Sequence, residues 1–370
     1  MNKLWILLAV SLAMAWIIEE RDRELRYRGS QKRERLMTWI LTIILIFFCG
    51  LRTWGNDTVT YMQMYDQMPV WNRYISGEMF DLATGMGFGA LTSIMKTIGF
   101  SKQDYLMFFA ILTVIPYVWF VRKHSVSFTF GVFLMFATGF YTFSMAAIKQ
   151  TMATGLCLLA VDAALDRKWT RYGLWLVAAV LFHPYAIIYG LIPLLMFKPL
   201  TKQTWLYMVA FMAAGFFLES LLGTVLDITD MMGANYDETS FTGEGVNLFR
   251  VAVSFVPVIL AMLYGKPLFR GSSREVNLMF NMAMVNALIM FVGIFGTANY
   301  FARLANYFLP AQVIILPWLL KKAHPRDRSW LMPACIVGYL GYFIYENAII
   351  RPFDTGYSHM SFWDYIARFF

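Results

Sequence analysis

Residues 36–49 read LMTWILTIILIFFC, and blocks of this kind, about 15–20 residues long and nearly free of charge, recur along the whole chain. A run of that length matches the bilayer hydrocarbon core of about 30 Å. Inside that core each segment must satisfy its own backbone hydrogen bonds, so the segments should be helices. Only 15% of the residues are charged, against about 25% in soluble domains. The expectation is an all-α polytopic membrane protein, one integral domain over residues 1–370.

The net charge of +8 does not point to nucleic acid, because the basic residues cluster in short loops between the apolar blocks, where they report topology. The chain has no GxxxxGK[ST], no HExxH and no Gly-rich dinucleotide turn, so the usual marks of ATP-driven chemistry and zinc hydrolysis are missing. No cofactor and no metal are expected. Cys49, Cys157 and Cys335 all lie in apolar runs, are odd in number and lack CxxC spacing, which makes them packing residues. The start, MNKLWILLAVSLAMA, has the form of a signal peptide. The segment that follows, EERDRELRYRGSQKRER, carries seven Lys/Arg, which cleavage and export would place outside. Residues 4–18 therefore read as a first span with its N-terminus outside.

Loop charges set the remaining topology. The basic loop 19–35, Arg122-Lys123, the Arg167–Arg171 turn, Lys198/Lys202, Lys266–Arg274 and Lys321–Arg328 should be cytoplasmic. The loop 223–249 has five acids and no Lys or Arg after residue 223, and should be external. So should the segment 52–104 and the tail 347–370. Within 52–104, residues 82–99 should form an interfacial or re-entrant helix, the alternative being one extra crossing. Residues 172–197 lie between two basic loops and are too few for two full spans, so a short helical hairpin is expected with His183-Pro184 at its apex, where proline disfavours helix at the preceding residue. In total, about 10–12 transmembrane helices are expected, with spans at about 203–222, 250–264, 276–296, 304–320 and 330–346 completing the chain.

This topology brings scattered polar residues to one depth near the outer interface: Arg52 and Asp57, Lys149 and Gln150, His183, Arg250, and Arg303 with Tyr300 and Tyr307. Charge within a span is costly and usually faces a cavity, a partner or a substrate. Each residue also has a plain reading. The arginines could be snorkelling anchors, the tyrosines an aromatic belt, and Asp57 a partner for Arg52 or the end of a Gly-Asn-Asp turn. As a set, the cations suit a phosphate or pyrophosphate, and a His or Asp beside them could take a proton from an attacking hydroxyl. That combination describes group transfer from a lipid-pyrophosphate donor to a sugar hydroxyl.

Three stretches, GLRTWGNDTVTYMQMY, AIKQTMATGLCLLAVDAALDRKWTRYGLWLVAAVLFHPYAII and NYFARLANYF, resemble in order and spacing the EpsG-like branch of the Wzy-type polysaccharide polymerases. That family usually has Arg-Gln where this chain has Lys149-Gln150, which keeps the charge but not the bidentate fork. The resemblance implies a GT-C-like membrane glycosyltransferase of the bacterial inner membrane, its active site facing the periplasm or cell exterior. Donor and acceptor would both be undecaprenyl-pyrophosphate-linked oligosaccharides, and a chain-length regulator is a further candidate partner besides the bilayer. On that reading Arg52, Lys149 and Arg303 would contact phosphate, with Arg303 counted among the catalytic groups, and Arg250 would be a further substrate contact. His183 would be the general base, with Asp57 as second choice or orienter, and Tyr300, Tyr307 and Gln150 would shape the sugar site. The rival readings are a flippase or transporter of lipid-linked oligosaccharide, a membrane O-acyltransferase, and a ligase moving finished polymer.

Overall fold

The computed structural model describes residues 2–30, 32–77, 85–217, 244–350, 352–353 and 358–369. Residues 223–243 of the acidic loop, 82–84 of the expected interfacial helix, 218–222 of the expected span 203–222, and 351, 354–357 and 370 of the tail lie outside these. The apolar runs form helices throughout. α1 (Asn2–Tyr27) and α2 (Leu36–Gly50) are followed by three short helices, α3 (Thr58–Gln67), α4 (Trp71–Ile75) and α5 (Met86–Thr97). Then come α6 (Lys102–His124), α7 (Phe128–Ala137), α8 (Ile148–Leu165), α9 (Trp169–Phe182) and a 3₁₀ segment (Pro184–Leu195). The C-terminal half holds α10 (Lys202–Phe216), α11 (Leu248–Tyr264), α12 (Arg274–Val292), α13 (Ala298–Asn306), α14 (Leu309–Lys322) and α15 (Pro325–Ile344), which runs into a π-helical segment (Tyr345–Ile350).

Two ends of the molecule can be told apart by what ties them. At one end Arg122 pairs with Asp22, Arg33 donates to the Arg122 carbonyl, Lys123 pairs with Asp162, and His124 meets Glu275 at 2.6 Å. Glu19 accepts there from Ser127 and Thr129, and Tyr264 donates to Asp327. This basic end therefore gathers the termini of α1, α6, α8, α11 and the starts of α2, α7, α12 and α15. Among the described residues, and taking α13–α14 as one, twelve segments run alternately between this end and the other: α1, α2, α6 to α9, the 3₁₀ segment, α10 to α12, α13–α14 and α15. Among the described residues, five helices are long and apolar enough to cross a membrane alone, six with the α13–α14 pair, which bends by 55°. Large apolar side chains such as Ile6, Ile43, Val177, Leu206, Leu263 and Val337 stand exposed on the flanks. Apolar exposure on that scale fits a lipid-facing surface and not an aqueous one. The protein is a multi-pass, all-α membrane protein.

The centre is α12, 83% of whose span is buried, together with α8. Prolines inside the spans leave backbone carbonyls without their usual N–H partner four residues on, and neighbouring elements fill the gaps. Within the 3₁₀ segment the Tyr189 carbonyl accepts from the Tyr172 hydroxyl at 2.6 Å. Pro257 offers nothing to the Val253 carbonyl, which accepts from Gln312 Nε2 at 2.9 Å. Asn281 on α12 likewise donates to the Leu195 and Phe197 carbonyls. Buried polar side chains thus join helices that apolar packing alone would leave free to slide.

The helical run breaks at His183, whose extended backbone (φ −150°, ψ 111°) separates α9 from the 3₁₀ segment. Both ends of α5 lie at the end opposite the basic loops. Gly85 at its start packs against the carbonyl of Phe182, and Lys96 near its finish donates to the Tyr65 and Asp66 carbonyls. The C-terminal tail returns to the same end. Its strand β2 (Ser358–His359) pairs antiparallel with β1 (Arg52–Trp54), and α16 (Phe362–Ile366) follows.

Candidate functional site

The stretch GLRTWGNDTVTYMQMY builds the first wall. α2 ends at Gly50, and Arg52 folds back beneath that end, 1% exposed. Its Nη1 donates to the Cys49 carbonyl and its Nε to Thr58 Oγ1 at 3.1 Å. Gln103 of α6 donates to the Gly50 and Arg52 carbonyls. Gly55 (φ +119°) and Asn56 (φ +46°) then turn the chain in a left-handed conformation, which Gly and Asn tolerate best. Asp57 stands at the N-cap of α3 but makes no capping bond with its side chain. Its carboxylate lies at the favourable end of the helix dipole.

The second wall is the bend between α13 and α14. Three of its carbonyls are taken by side chains from three other elements. Gln150 of α8 donates to the Arg303 carbonyl, Asn286 of α12 to that of Ala305 at 2.7 Å, and Tyr189 of the 3₁₀ segment to that of Tyr307 at 2.6 Å. The backbone that carries Arg303 is therefore fixed, while its side chain stays exposed.

Between these walls lies a cavity of about 780 Å³, whose lining includes Asp57, Arg303, Arg250, Glu346, Asn306 and Phe353. Its charged lining residues are Asp57, Glu244, Arg250, Arg303 and Glu346. Arg250 and Glu346 form a bidentate ion pair. Asp57 and Arg303 line the same space, and among the described residues neither side chain is tied into a hydrogen bond or an ion pair. In particular, Asp57 forms no ion pair with Arg52, whose donors go to α2 and α3 instead. Tyr61 of α3 stands in the field of Asp57, Arg303 and Arg52. Burial, with the Asp57 charge adding to it and the two arginines opposing, pushes its hydroxyl up to about 12, so it remains a hydrogen-bond donor.

Of the residues singled out in the sequence, Asp57, Arg250 and Arg303 line the cavity. Arg52, Lys149, Gln150, His183, Tyr300 and Tyr307 do not, and they stand around it in other settings. Lys149 lies with Nζ 5.3 Å from the centre of the Phe88 ring. His183 Nδ1 is 2.7 Å from the hydroxyl of Tyr307, which is fully buried, and His183 feels the charges of Lys149 and Arg303. Tyr300 packs edge-on to Tyr185. Glu346, Asn306 and Tyr61 are not among the residues the sequence singles out. For Glu346 the signal was present: an acid at the outer end of an apolar span, at the depth of Arg250.

The sequence profile of the EpsG family matches residues 35–365. No curated protein and no solved structure matches the chain significantly. The profile match takes in both walls of the cavity, the tail strand and nearly every helix between them, and on that coverage the chain belongs to the EpsG family, membrane proteins of the Wzy polysaccharide-polymerase type.

Proposed function

We propose that this protein polymerises lipid-linked oligosaccharide repeat units at the outer face of a bacterial inner membrane. The observation that carries the reading is the carboxylate of Asp57 and the guanidinium of Arg303, both without a partner among the described residues and lining one cavity. The end that holds it is opposite to the basic loops, which loop charge assigns to the cytoplasm. The sugar hydroxyl of the acceptor attacks the anomeric carbon of the donor glycan and forms the new glycosidic bond. The bond from that carbon to the pyrophosphate oxygen breaks, and undecaprenyl pyrophosphate leaves with the electron pair. Asp57 accepts the hydroxyl proton, a role for a carboxylate within reach of the nucleophile. Arg303 meets the charge that develops on the leaving pyrophosphate. His183 and Tyr307, bonded to each other behind Arg303, hold the wall, and Lys149 adds positive charge at a distance. Family membership supports the polymerase class; the donor, the acceptor and these residue roles are the reading advanced here.

The test is complementation of a deletion strain, with lipid-linked intermediates analysed by leaflet. Single repeat units should accumulate on the outer leaflet. Asp57→Asn and Arg303→Ala should each lower polymer output about 100-fold or more at normal protein level, and His183→Ala should lower it less than Asp57→Asn does. Accumulation on the inner leaflet would instead indicate a flippase, and full-length polymer lacking acyl groups an acyltransferase.

A further inference from the structure

Glu346 and Arg250 are the two cavity charges already engaged with each other. Arg250 Nε donates to Glu346 Oε1 at 2.7 Å and Nη2 to Oε2 at 2.6 Å. The two side chains are mostly enclosed, 20% and 17% exposed. A guanidinium carries five N–H groups in a rigid plane, and this side-on bond uses two of them. The outer edge, formed by Nη1 and the second hydrogen of Nη2, has no partner among the described residues. Because the group is planar, fixing one fork fixes the direction of the other.

The surroundings hold the pair in place. Asn247 at the start of α11 donates to the Tyr345 hydroxyl at 2.8 Å. The Phe249 ring packs edge-on to Tyr342 and Tyr345, with centres 5.5 and 5.0 Å away. Glu346 itself sits in the π-helical segment that ends α15. Such wide turns are rare and often mark functional positions.

We propose that Glu346 is a positioning residue: it locks the guanidinium of Arg250 so that its outer edge presents two N–H groups to a pair of phosphate oxygens, a pyrophosphate contact additional to Arg303. The proposal rests on the polymerase reading. It also predicts a sign that simple attraction does not. Replacing Glu346 by Gln makes the cavity more positive, so attraction alone would tighten binding of a pyrophosphate, whereas loss of positioning loosens it.

The measurement is binding of undecaprenyl pyrophosphate to the purified full-length protein in detergent, with inorganic pyrophosphate as a second probe. Glu346→Gln should bind the lipid about 10-fold more weakly. Arg250→Lys keeps a charge that can reach Glu346 but has no second fork, and should weaken binding by a similar factor. Inorganic pyrophosphate should lose the same factor in both variants, because the fork reads phosphate oxygens and not the polyprenyl chain. Unchanged or tighter lipid binding by Glu346→Gln, wild-type affinity in Arg250→Lys, or a loss confined to the lipid probe would overturn the proposal. If the wild-type protein binds neither probe, the polymerase reading falls and takes this inference with it. Wild-type binding with an unmoved Glu346→Gln affinity removes the inference alone.

Discussion

A guanidinium that is 1% exposed beside a helix terminus must give its N–H groups to protein atoms, and Arg52 gives them to the Cys49 carbonyl and to Thr58 Oγ1. It joins the end of α2 to the start of α3 and so sets where Asp57 stands. Arg52→Ala leaves the Cys49 carbonyl without that partner, which costs about 1–3 kcal/mol. The expected outcome is a lowered melting temperature in detergent and less protein in the membrane, with the affinity of the surviving protein for undecaprenyl pyrophosphate within about twofold of wild type. Arg52, Asp57, Arg250 and Arg303 were all legible as outer-end polar residues, because loop charge fixes depth through simple parity. Which way each side chain turns was not legible. Arg52 and Arg303 share a depth and a residue type, yet one is folded under a helix end and the other opens into a cavity. That difference comes from Thr58 and Gln150, contacts that exist only once the helices have packed.

Short elements at the cavity end show the same limit from another side. β1 and β2 are three and two residues long, too brief for alternation to be read, and the partners Thr53 and Ser358 are 305 residues apart in the chain. Their pairing, with Met360 N–H on the Leu51 carbonyl and the Tyr365 hydroxyl on Asp104, straps the tail over the exits of α2 and the start of α6. His359 lies in that strap, 4.5 Å from the Phe48 ring centre. Burial, reinforced by the positive charges of Lys3 and Arg52, pushes it down to about 4. The folded tail therefore favours the neutral ring. An unfolded tail titrates near 6.5, so the strap holds fully above that pH and weakens as pH falls from about 6.5 toward 4. Limited proteolysis of the tail should accelerate over that window, and His359→Phe, which keeps a ring and cannot charge, should abolish the acceleration. The break at His183 was legible from its proline, in contrast, because the steric rule acts within two residues.

For the whole molecule, the alternation of twelve segments makes a claim about sides. In a background with Cys49, Cys157 and Cys335 replaced, cysteines at Trp54 (57% exposed) and at Lys168 (side chain 50% exposed) should answer an impermeant thiol reagent differently. From outside the cell only the Trp54 position should react, and labelling at Lys168 would invert the topology and place the cavity in the cytoplasm. The hairpin beside the cavity carries a consequence of another kind. α9 has 14 residues, about 21 Å at 1.5 Å each. The 3₁₀ segment has 12, about 24 Å at 2.0 Å each. Stretching half of their 26 residues lengthens the pair, yet each segment falls short of a hydrocarbon core about 30 Å thick. Leu174, Val177, Ile187 and Leu194 stand exposed on their flanks, so lipid must adapt to them. One way a bilayer accommodates such short neighbours is to thin. On the proposed function, thinning next to His183 would bring the phosphates of a lipid-linked donor toward the depth of the site without its leaving its leaflet.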